Sequence, residues 1–295
     1  MMTAQSSTIT AVSPFKKRRY RISSEQAIVY AILTLGCFIT LVPFVWTILA
    51  SFKSHAEIID PINRTFFPRD PTLNNYTTIL RDPELPLERF YFNSLFVAIG
   101  NVITLTFTSA LFGYVFAKFN FRYKRVLFGY ILVTMMIPFQ LTMIPSYLIL
   151  LKFNLTDNLL GLVALSWFDA FGIFLLRQFM RSIPDELLDA ARVDGASEWQ
   201  TFLRIVIPQT VPALATFGTL VFIQSWNAYL WPLIVLRSEN VRTLPIILTW
   251  YNSRHTSDLG LSMAASVLIV IPMLIVYMFL QRWVVRGFVL SGFKG

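Results

Sequence analysis

Six apolar stretches, each long enough to cross a bilayer, decide what this chain can fold into. A transmembrane helix needs about 20 predominantly apolar residues. The stretches that reach this length are Ala27–Ala50, Ser94–Ala117, Val126–Leu150, Leu159–Phe179, Gln209–Leu236 and Leu261–Gln281. Because hydrocarbon offers the backbone no water to bond, spanning segments of this kind form helices. The sequence therefore predicts an all-α polytopic membrane protein with six transmembrane helices.

The composition agrees with this fold class. Of 295 residues, 55% are hydrophobic and only 14% are charged, with a mean hydropathy of +0.60. A soluble domain carries about 25% charged residues. The net charge of +9 could indicate nucleic-acid binding, but in a membrane protein basic loops account for it. The single cysteine, Cys37, lies inside an apolar run, which excludes a disulfide framework and a thiolate metal site.

The distribution of basic residues predicts which loops face the cytoplasm. Five lysines and arginines lie between Lys16 and Arg21, ahead of the first apolar stretch, and the turn Lys118–Arg125 has four with no acid. Cytoplasmic loops carry such an excess of lysine and arginine. Both termini are thus expected inside. We expect a tail at 1–26 and one transmembrane domain at 27–295, with an outside loop at 51–93, a cytoplasmic loop at 180–208 and a cytoplasmic tail at 282–295.

The cytoplasmic segment between the fourth and fifth stretches is a charged, helix-forming island. Ser182 is expected to cap a helix that runs to about Val193, and Gly195 to adopt the left-handed turn that ends it. Ser197, with Gln200 three residues later, predicts a second capped helix that Pro208 stops. The first turn of the island is acidic, so it would repel nucleic-acid phosphates.

The residues needed for an enzyme are missing. His55 and His255 fall in loops and share no ligand spacing with other histidines, cysteines or acids. No Gly–Lys pair occurs, so there is no Walker A loop to hold ATP phosphates. We therefore predict no catalytic residue, no metal site and no cofactor in this chain. Whatever powers this protein is therefore not in this chain.

Two polar features lie within the apolar stretches. Asp169 is the one acid in a predicted span, and it is either an ion or proton relay of a secondary transporter or a satisfied polar group facing the bundle. The second feature lies in the fifth stretch, where amides alternate with aromatic residues. These side chains could line a sugar path, or bond neighbouring helices and form an interfacial belt. The candidate pathway residues are Gln224, Trp226, Asn227 and Tyr229.

The charged island resembles the EAA loop of bacterial ABC importer permeases, whose pattern is E-A-A-x2-D-G-x9-I-x-L-P. The matching residues here are Asp189–Ala191, Asp194-Gly195 and Ile205–Pro208, and every spacing agrees. Two positions depart from the pattern, since Asp189 replaces Glu and Ile207 replaces Leu. Further stretches resemble the maltose-type carbohydrate uptake permeases, and the ending is similar to the six-helix partner of the pair. They are NSLFVAIGN, MMIP, WNAYLWPL and QRWVVRGFVLSGFKG.

This resemblance implies a role and a set of partners. It implies a permease subunit in the bacterial inner membrane that pairs with a second permease subunit. Two ATPase subunits would bind this pair, and a soluble solute-binding protein would deliver the solute to it. ATP and magnesium would then be bound by the ATPase subunits. The residues implied in ATPase coupling are Asp185, Glu186, Leu187, Leu188, Asp189, Ala190, Ala191, Arg192, Asp194, Gly195 and Pro208. A contact with the ATPase is also expected from the tail, through Gly292, Lys294 and Gly295, and one with the binding protein from the loop Arg237–Gly260.

Overall fold

The computed structural model describes residues 23–62, 65–82, 86–247 and 258–292, and throughout these ranges the chain forms helices and loops without a strand. The chain divides into two compact units, residues 1–46 and residues 47–295. The first helix, α1, covers Ser24–Ala50 and so begins in the first unit and ends in the second. All later helices belong to the second unit, which carries every candidate site discussed below.

The helices follow one another with short connections. Those before the charged island are α2 (His55–Ile59), α3 (Asn74–Arg81), α4 (Leu87–Lys118), α5 (Lys124–Thr134), α6 (Phe139–Lys152), α7 (Leu159–Ala164) and α8 (Ala170–Arg181). Those in and after it are α9 (Asp185–Val193), α10 (Glu198–Thr201), a π-helical turn (Phe202–Val206), α11 (Ile207–Trp226), α12 (Leu230–Val235), a 3-10 turn (Glu239–Val241) and α13 (Leu259–Gly292). The predicted outside loop 51–93 therefore contains two short helices and the start of α4.

Four helical segments of the described chain are long and apolar enough to cross a membrane, and a bent pair raises this number to five. The four are Ser24–Ala50, Leu87–Lys118, Glu198–Trp226 and Leu259–Phe279. Three of the six predicted stretches are not continuous helices. The third, Val126–Leu150, is the bent pair α5 and α6, whose axes differ by 97°. Pro138 causes the break, because the residue before a proline is driven out of the helical region, and Pro138 itself is extended.

The fourth and fifth stretches are also interrupted. The fourth, Leu159–Phe179, is split into α7 and α8 by a non-helical connection that ends at Asp169. In the fifth, α11 ends at Trp226 and α12 begins at Leu230. Hydropathy averaged over a span does not detect such breaks, because each connection has only a few polar residues, such as Asp169 and Asn227, among apolar neighbours.

The core of the second unit forms where α4, α8 and α11 pack together, with α13 against the far side of α11. Gly172 of α8 marks the closest approach. A Cβ atom there would lie 2.2 Å from the ring of Phe217 and 2.6 Å from the hydroxyl of Ser109. Only glycine permits this spacing, so α8 lies directly on α11 and α4. The helix that precedes the charged island is thus fixed to the centre of the bundle.

The loops of the second unit gather at two opposite ends of α4. At its first end, Arg89 donates a hydrogen bond to Asn240 at 2.7 Å, and Asn93 donates to the carbonyls of Asn240 and Arg242. At its last end, Lys118 contacts Asp185. Hence the predicted outside loops meet at one end of the helix, and the basic turn meets the charged island at the other.

Candidate functional site

The charged island forms a helix, a tight turn and a second helix, as predicted, but its first cap is different. Ser182 does not cap α9; it ends α8, and its hydroxyl donates to the carbonyl of Phe179 at 2.6 Å. Pro184 occupies the capping position of α9 without a side-chain hydrogen bond. A serine hydroxyl that bonds back to its own helix is no longer available as a cap for the next one.

The two faces of α9 have different environments. Leu188 is 1% exposed and Ala191 is 8% exposed, and Leu188 packs in one core cluster with Ile183 and Phe202. The opposite face leaves Leu187 45% exposed, with further exposed residues at Glu186, Asp189, Ala190 and Val193. Of the residues implied in ATPase coupling, Leu188 and Ala191 therefore fix α9 to its own subunit. Only the other face is free to meet a partner.

The turn after α9 is a Schellman motif, and Gly195 makes it possible. The amide of Ala196 donates to the carbonyl of Ala191 at 2.9 Å, and the amide of Gly195 donates to the carbonyl of Arg192 at 3.0 Å. This pattern requires a left-handed residue, and Gly195 has φ of +80°. The geometry confirms the predicted left-handed turn and fixes the angle between α9 and the following helix.

The second helix begins as predicted but continues much further. Ser197 and Gln200 form a complete capping box. Pro208 does not stop the helix, because Phe202–Val206 adopt a π turn and the chain then continues helically to Trp226. Pro208 lies at the first positions of α11, where the missing amide proton of proline is tolerated. The island is thereby connected without interruption to a long apolar helix of the bundle.

Three ion pairs and one hydroxyl contact tie the island together. Arg192 lies 2.8 Å from Asp189 and 2.8 Å from Glu198, and the hydroxyl of Tyr114 donates to Glu198 at 3.0 Å. Glu198 and Asp189 hold the pKa of Arg192 above its usual value. Lys118 donates to Asp185 at 2.7 Å and holds the pKa of Asp185 below its usual range. These contacts connect both helices of the island to α4.

A second site is a partly open cavity of about 480 Å³ between α4, α7, α11 and α12. Its polar lining comes from Asn101, Ser166, Asp169, Gln224, Ser225 and Tyr229, and its aromatic lining from Phe139, Phe168 and Trp231. Asn101 donates to the hydroxyl of Ser225 at 2.8 Å, while the side-chain oxygen of Asn101 is buried without a hydrogen-bond donor among the described residues. The cavity thus presents amide, hydroxyl and ring groups together.

The candidate pathway residues are divided between two places. Gln224 and Tyr229 line the cavity. Trp226 is 1% exposed and packs in the core, where its indole donates to the carbonyl of Ile269 at 3.2 Å. Asn227 bonds to the carbonyl of Ile223 and contacts the sulfur of Met273, away from the cavity. The helical turn at this position directs neighbouring residues to opposite sides of α11.

Asp169 lies in the cavity lining but has a structural partner. It occupies the capping position of α8, where its carboxylate accepts a hydrogen bond from the amide of Gly172 at 2.5 Å. This contact satisfies one of the free amides at the start of a helix. The prediction that Asp169 lies within a continuous span is therefore wrong, and a capping role accounts for the acid.

Several expectations about the chain end and the loops stay predictions. Gly292 is the last residue of α13, whereas Lys294 and Gly295 lie outside the described residues, as do His255 and the middle of the loop Arg237–Gly260. Sequence reasoning also missed residues that position the island, above all Lys118, Tyr114 and Glu198. Their contacts join distant parts of the chain. The sequence offered one sign of these contacts. The basic turn Lys118–Arg125 and the acidic start of the island were both predicted on the cytoplasmic side of the membrane, where opposite charges could meet.

Comparisons with known proteins agree with this arrangement. Residues 109–289 match the family described as binding-protein-dependent transport system inner membrane component. The chain is 32% identical to the arabinooligosaccharides transport system permease protein AraQ of Halalkalibacterium halodurans, over 90% of this chain and 96% of the relative. It is also 32% identical to the lactose transport system permease protein LacG of Rhizobium radiobacter, over 88% and 93%.

A solved structure is similar over nearly the whole length. A chain from the crystal structure of a bacterial ABC transporter involved in the import of the acidic polysaccharide alginate superposes with a TM-score of 0.77 at 28% identity, covering 92% of this chain and 99% of that one. The matched family region begins within α4 and ends within α13, so it includes the island and all of the cavity lining except the part that α4 contributes. The chain belongs to the binding-protein-dependent transport system inner membrane components.

Proposed function

We propose that this protein is the permease subunit of an ATP-binding-cassette importer that carries a sugar or sugar-like solute across the bacterial inner membrane. The observation that carries the proposal is the two-sided helix α9. One face is fixed to the core through Leu188 and Ala191, and the other exposes Leu187 and Ala190. A rod anchored in this way can transmit the movement of a cytoplasmic ATPase subunit to the transmembrane helices.

The proposed topology has six spans with both termini in the cytoplasm. The grouping of loops at the two ends of α4 supports it, because α4, the pair α5–α6, the pair α7–α8, the segment from α10 to α11, and α13 then cross in alternating directions. With α1 this makes six. Interrupted helices are tolerated at membrane depth where they line a cavity or are covered by protein, and α7, α12 and the connection that ends at Asp169 line the cavity.

The cavity supports a carbohydrate as the solute. Amides and hydroxyls can exchange hydrogen bonds with sugar hydroxyls, and the rings of Tyr229 and Trp231 can cover an apolar sugar face. The names of the relatives point in the same direction, since they specify arabino-oligosaccharides and lactose. In the proposal, Gln224 and Tyr229 contact the passing solute, whereas Trp226 holds α11 against α13.

The further partners are a second permease subunit, two ATPase subunits and a solute-binding protein on the outside. ATP and magnesium would bind to the ATPase subunits, so this chain would itself catalyse no reaction. ATP-driven closure of the ATPase pair would shift the permease between inward-open and outward-open states, a change in populations that both ATP and the loaded binding protein bias. The tail beyond Gly292 would add a second contact to the ATPase.

Co-purification from membranes tests the docking face. Leu187→Ala removes an apolar side chain from the exposed face of α9, and Leu203→Ala is a matched control because Leu203 is 43% exposed in the π turn. We expect an ATPase subunit to be recovered with the native protein and the control, and to be reduced at least several-fold with Leu187→Ala. If no ATPase is recovered with the native protein, the proposal is wrong.

A further inference from the structure

A basic pocket lies where α4 turns into α5, beside the end of α8. Its lining comprises Asn120, Phe121, Tyr123, Lys124, Arg125, Phe128 and Arg177, and its volume is about 520 Å³. Three of these residues are cationic and none is acidic. The pocket is therefore suited to a small anion that also contacts aromatic rings.

The guanidinium group of Arg177 is held in a fixed orientation at this pocket. Its Nε atom donates to the carbonyl of Phe116 at 3.1 Å, and its central carbon lies 3.9 Å above the ring of Phe128. A guanidinium group has five N–H donors, so most of them remain for a ligand. An arginine that is oriented in advance loses little side-chain entropy on binding an anion.

None of these cations forms an ion pair with a carboxylate in the described part of the chain, although Asp185 is close enough to act on Lys124 electrostatically. Within the described residues, Lys124, Arg125 and Arg177 have no acidic group within ion-pair distance; the nearby acid Asp185 is engaged by Lys118. Arg125 is exposed and forms no hydrogen bond or ion pair in the described part of the chain. Three cations that converge without a counter-charge repel one another, and a bound anion would relieve that repulsion.

The surroundings of the pocket favour a lipid over a soluble anion. Along α5, which leads away from the pocket, the apolar side chains of Val126, Leu127 and Tyr130 are 54%, 46% and 67% exposed. Acyl chains would lie against this surface while a headgroup occupied the pocket. Basic pockets between transmembrane helices on the cytoplasmic side bind anionic headgroups in this manner.

We propose that this pocket binds the phosphodiester group of an anionic phospholipid in the cytoplasmic leaflet. Only the assignment to that leaflet rests on the topology proposed above. Arg177 would hold the phosphate oxygens through paired N–H donors, and Lys124 and Arg125 would neutralise the charge. The lipid would lie beside the contact between Lys118 and Asp185, and so next to the start of α9.

Native mass spectrometry of the full chain with its co-purifying partners tests the site, with phosphatidylglycerol and phosphatidylcholine as probes. We expect preferential retention of phosphatidylglycerol. Arg125→Gln should weaken it roughly fivefold, the equivalent of about 1 kcal/mol per basic residue near a membrane surface. Arg177→Gln should weaken it further. Arg204→Gln is the control, since Arg204 is an exposed arginine of the π turn outside the pocket.

Arg177→Gln could affect folding, because the side chain packs on Phe128, so Arg125→Gln decides the test. Equal retention of the two lipids, or an equal loss in Arg204→Gln, would overturn the proposal. Adding inorganic phosphate at millimolar concentration distinguishes the sources of the anion. Retention of phosphatidylglycerol in its presence supports a lipid site, whereas displacement would assign the pocket to a soluble phosphate and contradict the lipid proposal.

Discussion

The ammonium group of Lys118 donates a hydrogen bond to Asp185 at 2.7 Å, although the two residues are 67 positions apart. The same group donates to the carbonyl of Ile183 at 2.5 Å. The side chain of Lys118 is 5% exposed, whereas that of Asp185 is 78% exposed. This one side chain therefore ties the last residue of α4 to the segment in which α8 ends and α9 begins.

Replacing Lys118 should loosen α9 more than replacing its acidic partner. Lys118→Met leaves the carbonyl of Ile183 without its donor, and losing charged hydrogen bonds of this kind costs about 1.5–3 kcal/mol. Asp185→Asn removes only a solvent-exposed ion pair, which contributes little. We expect Lys118→Met to lower both the unfolding temperature in detergent and coupled transport. An equal effect of the two variants would contradict the explanation that the buried side chain of Lys118 holds α9 through the carbonyl of Ile183.

Tyr114→Phe tests the second connection between α4 and the island. Tyr114 is 3% exposed, and its hydroxyl donates to Glu198. Loss of this hydrogen bond should lower the free energy of unfolding by about 1 kcal/mol. Tyr130→Phe is the control, because Tyr130 is 67% exposed on α5. Denaturant titration of both variants in the same detergent should show the loss only for Tyr114→Phe.

Gly195→Ala should strain the turn that sets the angle of α9. A Cβ atom at Gly195 would meet no neighbour within 4 Å, so space is not limiting. The φ of +80° is what disfavours alanine, at a cost of about 1–2 kcal/mol. Gly129→Ala also places a Cβ in open space, but within the regular helix α5. It should be neutral or stabilising in thermal unfolding, and a similar loss in both variants would refute the backbone explanation.

Asp157 should make the connection between α6 and α7 sensitive to acid. Its carboxylate accepts hydrogen bonds from the hydroxyl and amide of Ser238 and from the amide of Arg237, which hold the pKa of Asp157 below its usual value. Since the folded pKa is the lower one, this contribution is present above the unfolded value of about 3.9 and is lost as pH falls through the folded pKa.

Asp157→Asn checks this acid dependence. Asn tolerates the left-handed backbone that Asp157 adopts, with φ of +56°. The variant should unfold at a lower temperature than the native protein near neutral pH, and the difference should shrink below about pH 4. Asp70→Asn, at an exposed acid, should change neither curve. A difference between native protein and Asp157→Asn that persists unchanged in acid would show that the carboxylate charge is not involved.

The features that sequence predicted well are local ones. The left-handed turn at Gly195 and the capping box of Ser197 with Gln200 depend on residues within one helical turn, so residue types at fixed spacing suffice. The prediction that Ser182 caps α9 was wrong because its hydroxyl bonds back to the preceding helix. The prediction that Pro208 ends the helix was wrong because the residues ahead of it form a π turn. With that turn, the helix accommodates a residue that has no backbone N–H to donate.

What sequence could not supply was the arrangement in space. Hydropathy located the apolar stretches but not the breaks at Pro138 and Asp169, because both lie in runs of apolar residues. The assignment of Leu188 and Ala191 to a partner followed from a linear motif, and only the packing of α9 shows that these side chains face their own core. The contact of Lys118 with Asp185 requires the folded bundle.

Site-specific cross-linking tests the central claim most directly, namely that the exposed face of α9 docks on an ATPase subunit. In a background with Cys37→Ser, which removes the one native cysteine, Ala190→Cys and Ala191→Cys are compared with a short bifunctional reagent. Ala190 is exposed, and its neighbour Ala191 is 8% exposed. We predict a cross-link to an ATPase subunit from position 190 and none from position 191. A cross-link from neither position in the assembled complex, or an equal one from both, would contradict the proposed docking face.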